Sequence, residues 1–231
     1  MAAPRPVALI SAHSKHSKFS YLFVTQVLLI VLFPYLAKPG LSTVIFRLLS
    51  ALTFVAAVYA VSDKRTQWIT GLCLAVPTAA LNSWVAFHPG SSSLFVPSLV
   101  STLTFLSFTV VTLLRAVLRT ETVTRDTIYG ALSVYLLMAF VWGTAYLLLE
   151  TLQPGGLSID IARHPNHQVD WFDCMFYSFV TLTSLGYGDM VPISAQARSL
   201  SVLEAVSGIM YVAVLVARLV GLYAARKSEA Q

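Results

Sequence analysis

The sequence predicts an all-α membrane protein of six transmembrane helices, with one further re-entrant helix ahead of the last span. Three observations carry that reading. Hydrophobic residues fill 57% of the 231 positions and charged residues only 11%, against about 25% charged in soluble domains, and the mean hydropathy is +0.75. Six apolar stretches, 19–36, 41–61, 66–87, 94–118, 130–152 and 199–224, approach the roughly 20 residues that cross a hydrocarbon core about 30 Å thick. A seventh, 170–183, is apolar and aromatic but too short to cross, and suits a helix that enters the membrane and stops halfway.

Arg5, Lys15 and Lys18 precede the first apolar run, as in a secretory leader. The run from Phe19 to Leu36 is too long for one, however, and no small-residue cleavage site follows it. It reads as the first span. The next breaks fall at Lys38-Pro39-Gly40, at Ser62-Asp63-Lys64-Arg65 and at 88–93, all polar or turn-forming. Pro34, Pro77 and Pro97 lie inside spans, where neighbouring helices absorb the kinks. The expected organisation is a tail 1–18, a peripheral four-helix unit 19–118, a linker 119–129 and a final unit 130–226. The last comprises an outer helix 130–152, the short helix 170–183, a segment 184–188 and an inner helix 199–224.

Six spans put both ends on one side. Arg5, Lys15, Lys18, Lys64, Arg65, Arg115, Arg119, Arg125, Arg226 and Lys227 lie on the side of the tails, and Lys38, Arg163 and Arg198 on the other. That bias makes both termini cytoplasmic in a multi-pass protein of a cell membrane. It also accounts for the net charge of +5 without nucleic acid, for which no aromatic or glycine-rich basic segment is present. His13, Lys15, His16 and Lys18 suit contact with anionic lipid, or a pH response through the histidines. The loop 153–198 then faces outward, and Asp160, Asp170, Asp173 and Asp189 outnumber its two arginines, so its field attracts cations. Cys73 and Cys174 have no metal-ligand spacing, and no nucleophile, base or cofactor motif indicates an enzyme. Tails of this length predict no appended ligand-binding domain.

Asp170 and Asp173 suit the cap and first turn of the short helix, and Gly186-Tyr187-Gly188 ends it. The segment Thr181-Leu182-Thr183-Ser184-Leu185-Gly186-Tyr187-Gly188-Asp189 resembles the signature of the potassium channel family, usually Thr-Val-Gly-Tyr-Gly. The resemblance implies that Ser184, Leu185, Gly186, Tyr187 and Gly188 form a selectivity filter whose oxygens replace the water of a potassium ion. Gly186 and Gly188 reach backbone angles closed to side chains, Tyr187 braces the strand, and Thr183, Asp189 and Tyr177 support it. One strand makes one wall, so three identical subunits complete a homotetramer, with potassium in the filter and no other cofactor. Ser184 and Leu185 depart from the usual threonine and valine.

The resemblance covers about 130–226. Pro192, Arg198 and Gly208 follow Asp189 with the spacing of small bacterial potassium channels, which implies a bacterial inner membrane and an inner-helix hinge at Gly208. Ile209, Val212, Val216 and Val220 would line the inner pore or gate it by dewetting, with Arg218 facing away from it. Glu204 projects about 40° from Gly208 on a helical wheel, placed to hydrogen-bond behind the filter, ionised or protonated. Arg47 is the basic residue well inside the second span.

The implied function is passive potassium conduction. A weakly selective cation channel, and a non-conducting membrane sensor or assembly subunit, share the helical plan, and ion flux separates them. The first four spans match a voltage sensor in number, yet Leu94–Leu114 holds no charged residue. Arg115 and Arg119 sit at its inner end, where long side chains reach headgroups. Steep gating needs several charges, each gaining about 2.3 kcal/mol per 100 mV. Open probability is therefore expected to vary weakly with voltage. A current–voltage series comparing wild type with Arg115→Gln plus Arg119→Gln checks this; steep activation flattened in the double variant contradicts it.

Overall fold

The computed structural model describes residues 18–36, 41–61, 65–88, 92–120, 124–159 and 169–229. The tail residues His13, Lys15 and His16, the loop residues Lys38, Lys64, Asp160 and Arg163, and the side chains of Arg47, Arg226 and Lys227 lie outside the described residues. Seven α-helices follow in order: α1 (Lys18–Leu36), α2 (Leu41–Val61), α3 (Arg65–Phe87), α4 (Phe95–Arg119), α5 (Arg125–Leu152), α6 (Trp171–Leu182) and α7 (Ala195–Glu229). Among the described residues α3, α4, α5 and the Ala195–Leu222 part of α7 are long and apolar enough to cross a membrane, while the Lys18–Leu32 and Leu49–Ala60 stretches are shorter apolar helices.

The outer helix starts at Arg125, not at residue 130. The reason is chemical rather than hydrophobic. Thr124 accepts the Thr127 N–H at 3.2 Å as an N-cap, and Asp126 lies in the first turn, against the positive end of the dipole. Asp126 also accepts the Phe19 N–H at 3.2 Å, tying the start of α1 to the start of α5. The inner helix likewise begins at Ala195 rather than 199, because Ser194 accepts the Ala197 N–H at 3.1 Å.

The loop after α5 contains a short strand. β1 (Leu157–Ile159) pairs antiparallel with β2 (Met190–Pro192), Leu157 opposite Pro192 and Ile159 opposite Met190. The base of this two-stranded sheet is held by Glu150 at the end of α5, which accepts the N–H groups of Gly155 at 2.6 Å and Leu157 at 3.0 Å. Gly156 in turn accepts from Ile193 and Ser194. This small sheet fixes the chain on either side of residues 184–188.

α1 packs on α2 and α5, α4 on α3 and α5, and α6 sits between α5 and α7. The larger core joins Leu22, Phe105, Leu113, Val134 and Leu137, each at most 1% exposed. A second surrounds Tyr146, Cys174, Tyr177, Met190 and Ala197. Lipid is as apolar as leucine, so close approach and hydrogen bonds do much of the work between helices. Thr78 and Ser101 hydroxyls meet at 2.6 Å and Asn82 donates to Thr102 at 3.0 Å, pinning α3 to α4.

Gly143 shows the close approach on α5. A Cβ there would press into the Met175 side chain and lie 3.1 Å from its Cα. Met175 is itself buried. Gly143→Ala is expected to destabilise the protein by about 1–3 kcal/mol, the usual cost of overpacking. It would be read as a lower melting midpoint in detergent, and an unchanged midpoint would show the α5–α6 seam to be loose.

Candidate functional site

The site begins with α6. Asp170 Oδ1 accepts the N–H groups of Phe172 at 2.7 Å and Asp173 at 3.0 Å, and Asp173 Oδ2 accepts that of Asp170 at 2.8 Å. This reciprocal box starts the helix and puts both carboxylates at its positive end. The helix stops at Leu182, with Thr183 as C-cap. Its last turn then captures the departing chain: Thr183 donates to Phe179, Ser184 to Thr181, and both Leu185 and Gly186 to the Val180 carbonyl at 2.9 and 3.4 Å.

Beyond that turn the backbone alternates. Ser184, Gly186 and Gly188 have φ of 58°, 59° and 78°, while Leu185 and Tyr187 between them do not have positive φ. A Cβ at Gly186 or Gly188 would meet nothing within 4 Å, so conformation rather than space calls for glycine there. Ser184 is the non-glycine residue held in this region among the described residues, at a cost of about 1–2 kcal/mol. Strain of this kind concentrates at functional positions. Among the described residues, no hydrogen-bond donor is directed at the carbonyl oxygens of 184–188.

The expected supporting residues divide by role. The Tyr187 ring stacks on Phe176 of α6, 6.1 Å between centroids and 5° from parallel. Thr183 Oγ1 donates to Phe179 O at 2.7 Å, within its own helix. Asp189 accepts the Met190 N–H at 3.0 Å, next to β2. Tyr177 braces the helix rather than the strand: its hydroxyl is 2.6 Å from Ser201 Oγ on α7 and its ring meets Tyr146 edge-on.

α7 runs as unbroken helix past Gly208. A Cβ at Gly208 would collide with the Leu182 carbonyl oxygen at the end of α6. The same oxygen accepts the Tyr135 hydroxyl of α5 at 3.2 Å. Glycine at 208 thus has a packing reason in addition to the hinge the resemblance implies. Ile209, Val212, Val216 and Val220 are 60%, 46%, 52% and 62% exposed. Arg218 turns toward α4, its guanidinium donating to Thr120 O at 2.8 Å.

Glu204, on the face of α7 turned from this stripe, is completely buried. The Tyr146 hydroxyl donates to its Oε2 at 2.6 Å, and Ser178 Oγ lies 2.5 Å from its Oε1. Tyr135, Phe176, Ser178, Tyr146 and Ser201 were not anticipated. Their signal is a polar group or ring in a membrane-depth run, which must find a partner.

Residues 134–224 match the model of a family described as ion channel. The chain carries an ion-channel domain of the potassium-channel type. No curated protein and no solved structure matches the chain. The matched segment runs from α5 to α7, so the alternating strand, the α6 cap and the Glu204 cluster all belong to the channel domain. The chain is thus a multi-pass membrane protein that carries an ion-channel domain.

Gly208→Ala separates packing from hinge. If the Leu182 contact governs this position, the added methyl displaces the end of α6. Both ion selectivity and stability then fall, the latter by about 1–3 kcal/mol. The check is a flux ratio for two cations with a melting curve. Altered opening with unchanged selectivity and melting would favour the hinge alone.

Proposed function

We propose that the chain is one subunit of a homotetrameric, potassium-selective channel that passes potassium downhill through the strand 184–188. The observation that carries this reading is that strand. Its left-handed φ recurs at every second residue, its N–H groups at 185 and 186 are tied back to Val180, and its carbonyls meet no donor among the described residues. Backbone at membrane depth must be satisfied or line a wet path, and a ring of carbonyls that replaces an ion's water satisfies both conditions at once. Ser184 adds a hydroxyl at the inner end of the ring.

One strand cannot surround an ion, and the single chain's exposure supports partners. Leu185 and Tyr187 are 55% and 65% exposed, and so are Val202, Leu203, Val206 and Ile209 on α7, at 64%, 55%, 54% and 60%. Copies around a fourfold axis would cover one part of this surface and aim another at the ions. α1 and α2 complete six spans, with both termini cytoplasmic, and α1–α4 form a peripheral unit without gating charges. The channel opens without strong voltage dependence on this reading.

The test is reconstitution in liposomes, with potassium and sodium flux measured with and without barium, beside the mass of the detergent-solubilised particle. A tetramer that prefers potassium is expected. Gly186→Ala places a side chain at φ 59°, costing about 1–2 kcal/mol in each subunit, and should abolish selectivity or conduction while the tetramer forms. Equal sodium and potassium flux in wild type would leave a weakly selective cation channel, and no flux a non-conducting subunit. Unchanged selectivity in Gly186→Ala would remove Gly186 from the filter.

A further inference from the structure

Glu204 sits completely buried where α5, α6 and α7 meet, and its hydrogens can be counted. Ser178 Oγ lies 2.8 Å from the Ala139 carbonyl of α5 and 2.5 Å from Glu204 Oε1. A serine hydroxyl has one hydrogen, and a carbonyl has none to give. The contact with Ala139 therefore takes the Ser178 hydrogen. The contact between Ser178 and Glu204 then needs a hydrogen from the carboxyl.

The rest of the cluster agrees. Ser201 donates to Ala197 O at 2.8 Å, the Tyr177 hydroxyl donates to Ser201, and the Tyr146 hydroxyl donates to Glu204 Oε2. With Glu204 neutral, every short contact in the cluster has its own hydrogen; the longer approach of the Tyr146 hydroxyl to Ser201 Oγ, at 3.4 Å, shares the one it gives Glu204. An ionised Glu204 would leave two oxygens facing each other at hydrogen-bond distance with nothing between them. The groups around it are Tyr135 and Tyr146 from α5, Ser178 and Tyr177 from α6, and Ser201 and Ser207 from its own helix. None of these is basic, so among the described residues no cation offsets a buried carboxylate.

We propose that Glu204 is a neutral carboxylic acid whose own proton joins α7 to α6, holding α6 in place for conduction. The path to the strand is short. Ser178 lies two residues before Val180, whose carbonyl holds the N–H groups of Leu185 and Gly186. Glu204 is a positioning residue and touches no ion. The role in conduction rests on the function proposed above; the protonation does not.

The two are therefore tested separately. An infrared difference spectrum between wild type and Glu204→Gln in liposomes should show the carbonyl stretch of a protonated carboxylic acid in wild type alone. A carboxylate signature in its place would overturn the proposal, whether or not the protein conducts. In the flux assay glutamine should serve in place of the acid, because its amide NH₂ donates to Ser178 and its carbonyl accepts from Tyr146. Glu204→Gln should thus keep potassium flux within about two-fold of wild type, whereas Glu204→Ala should lower flux about ten-fold or more, as expected for losing both bonds. Glutamine failing as alanine does would overturn the positioning role and leave the channel reading intact. A wild type that passes no ions would overturn the channel reading and the positioning role with it, while the infrared arm still decides the protonation.

Discussion

A backbone that leaves its helix at membrane depth has no water to satisfy its polar groups, and the organisation of the channel domain follows from that constraint. The chain breaks from helix at Thr183 and returns to regular structure at Met190. Its first N–H groups are absorbed by the last turn of α6, two of them by the Val180 carbonyl. The Met190 N–H is taken by Asp189, and β2 then pairs with β1. Donors near both ends are thus taken, while in the middle the carbonyls of 184–188 and the N–H groups of 187–189 have no partner among the described residues. Where the carbonyl oxygens of such a segment turn toward one axis they make a cation environment, independent of any formal charge nearby.

Such a strand is only as well placed as the helix beneath it. α6 is 12 residues long, too short for an isolated helix to be stable, so its position comes from its neighbours. Three kinds of contact supply it. The Leu182 carbonyl is approached on one side by Gly208 and bonded on another by Tyr135. Tyr177 reaches Ser201, and Ser178 reaches both Ala139 and Glu204. Apolar burial contributes less discrimination here than in water, because the helix could slide against lipid at little cost. Directional bonds and one side-chain-free contact set its depth and rotation.

Much of this was legible in the sequence because membranes impose length and composition directly. The apolar runs located the helices, Asp170 and Asp173 located the start of α6, and Gly186 and Gly188 marked the conformations that other residues avoid. What stayed hidden required partners distant along the chain. Leu157–Ile159 and Met190–Pro192 are three residues each, too short for an alternating pattern to show. The start of α5 depended on the Thr124 cap, which the search for apolar residues passes over. Ser184 gives no sign of its φ of 58°, since serine carries no glycine-like preference. Gly208 reads equally as a hinge or as a contact until the Leu182 oxygen is seen beside it.

The inner half of α7 follows a different logic. Below Gly208 the helix presents Val212, Val216 and Val220 largely uncovered. Among the described residues two side-chain hydrogen bonds tie this half to other helices: Tyr211 donates to Ala131 O on α5, and Arg218 donates to Thr120 O, the residue that caps α4. The second bond joins the peripheral unit to the helix whose valines the resemblance assigns to the inner pore. It is a charged donor on a backbone acceptor, stronger than a neutral pair, and it grips a helix end rather than a side chain that could rotate away. A displacement of the α4 terminus would therefore pull on α7 between Val216 and Val220. Leu94–Leu114 holds no charged residue, so the charged side chains of α4 are Arg115 and Arg119, close to this joint.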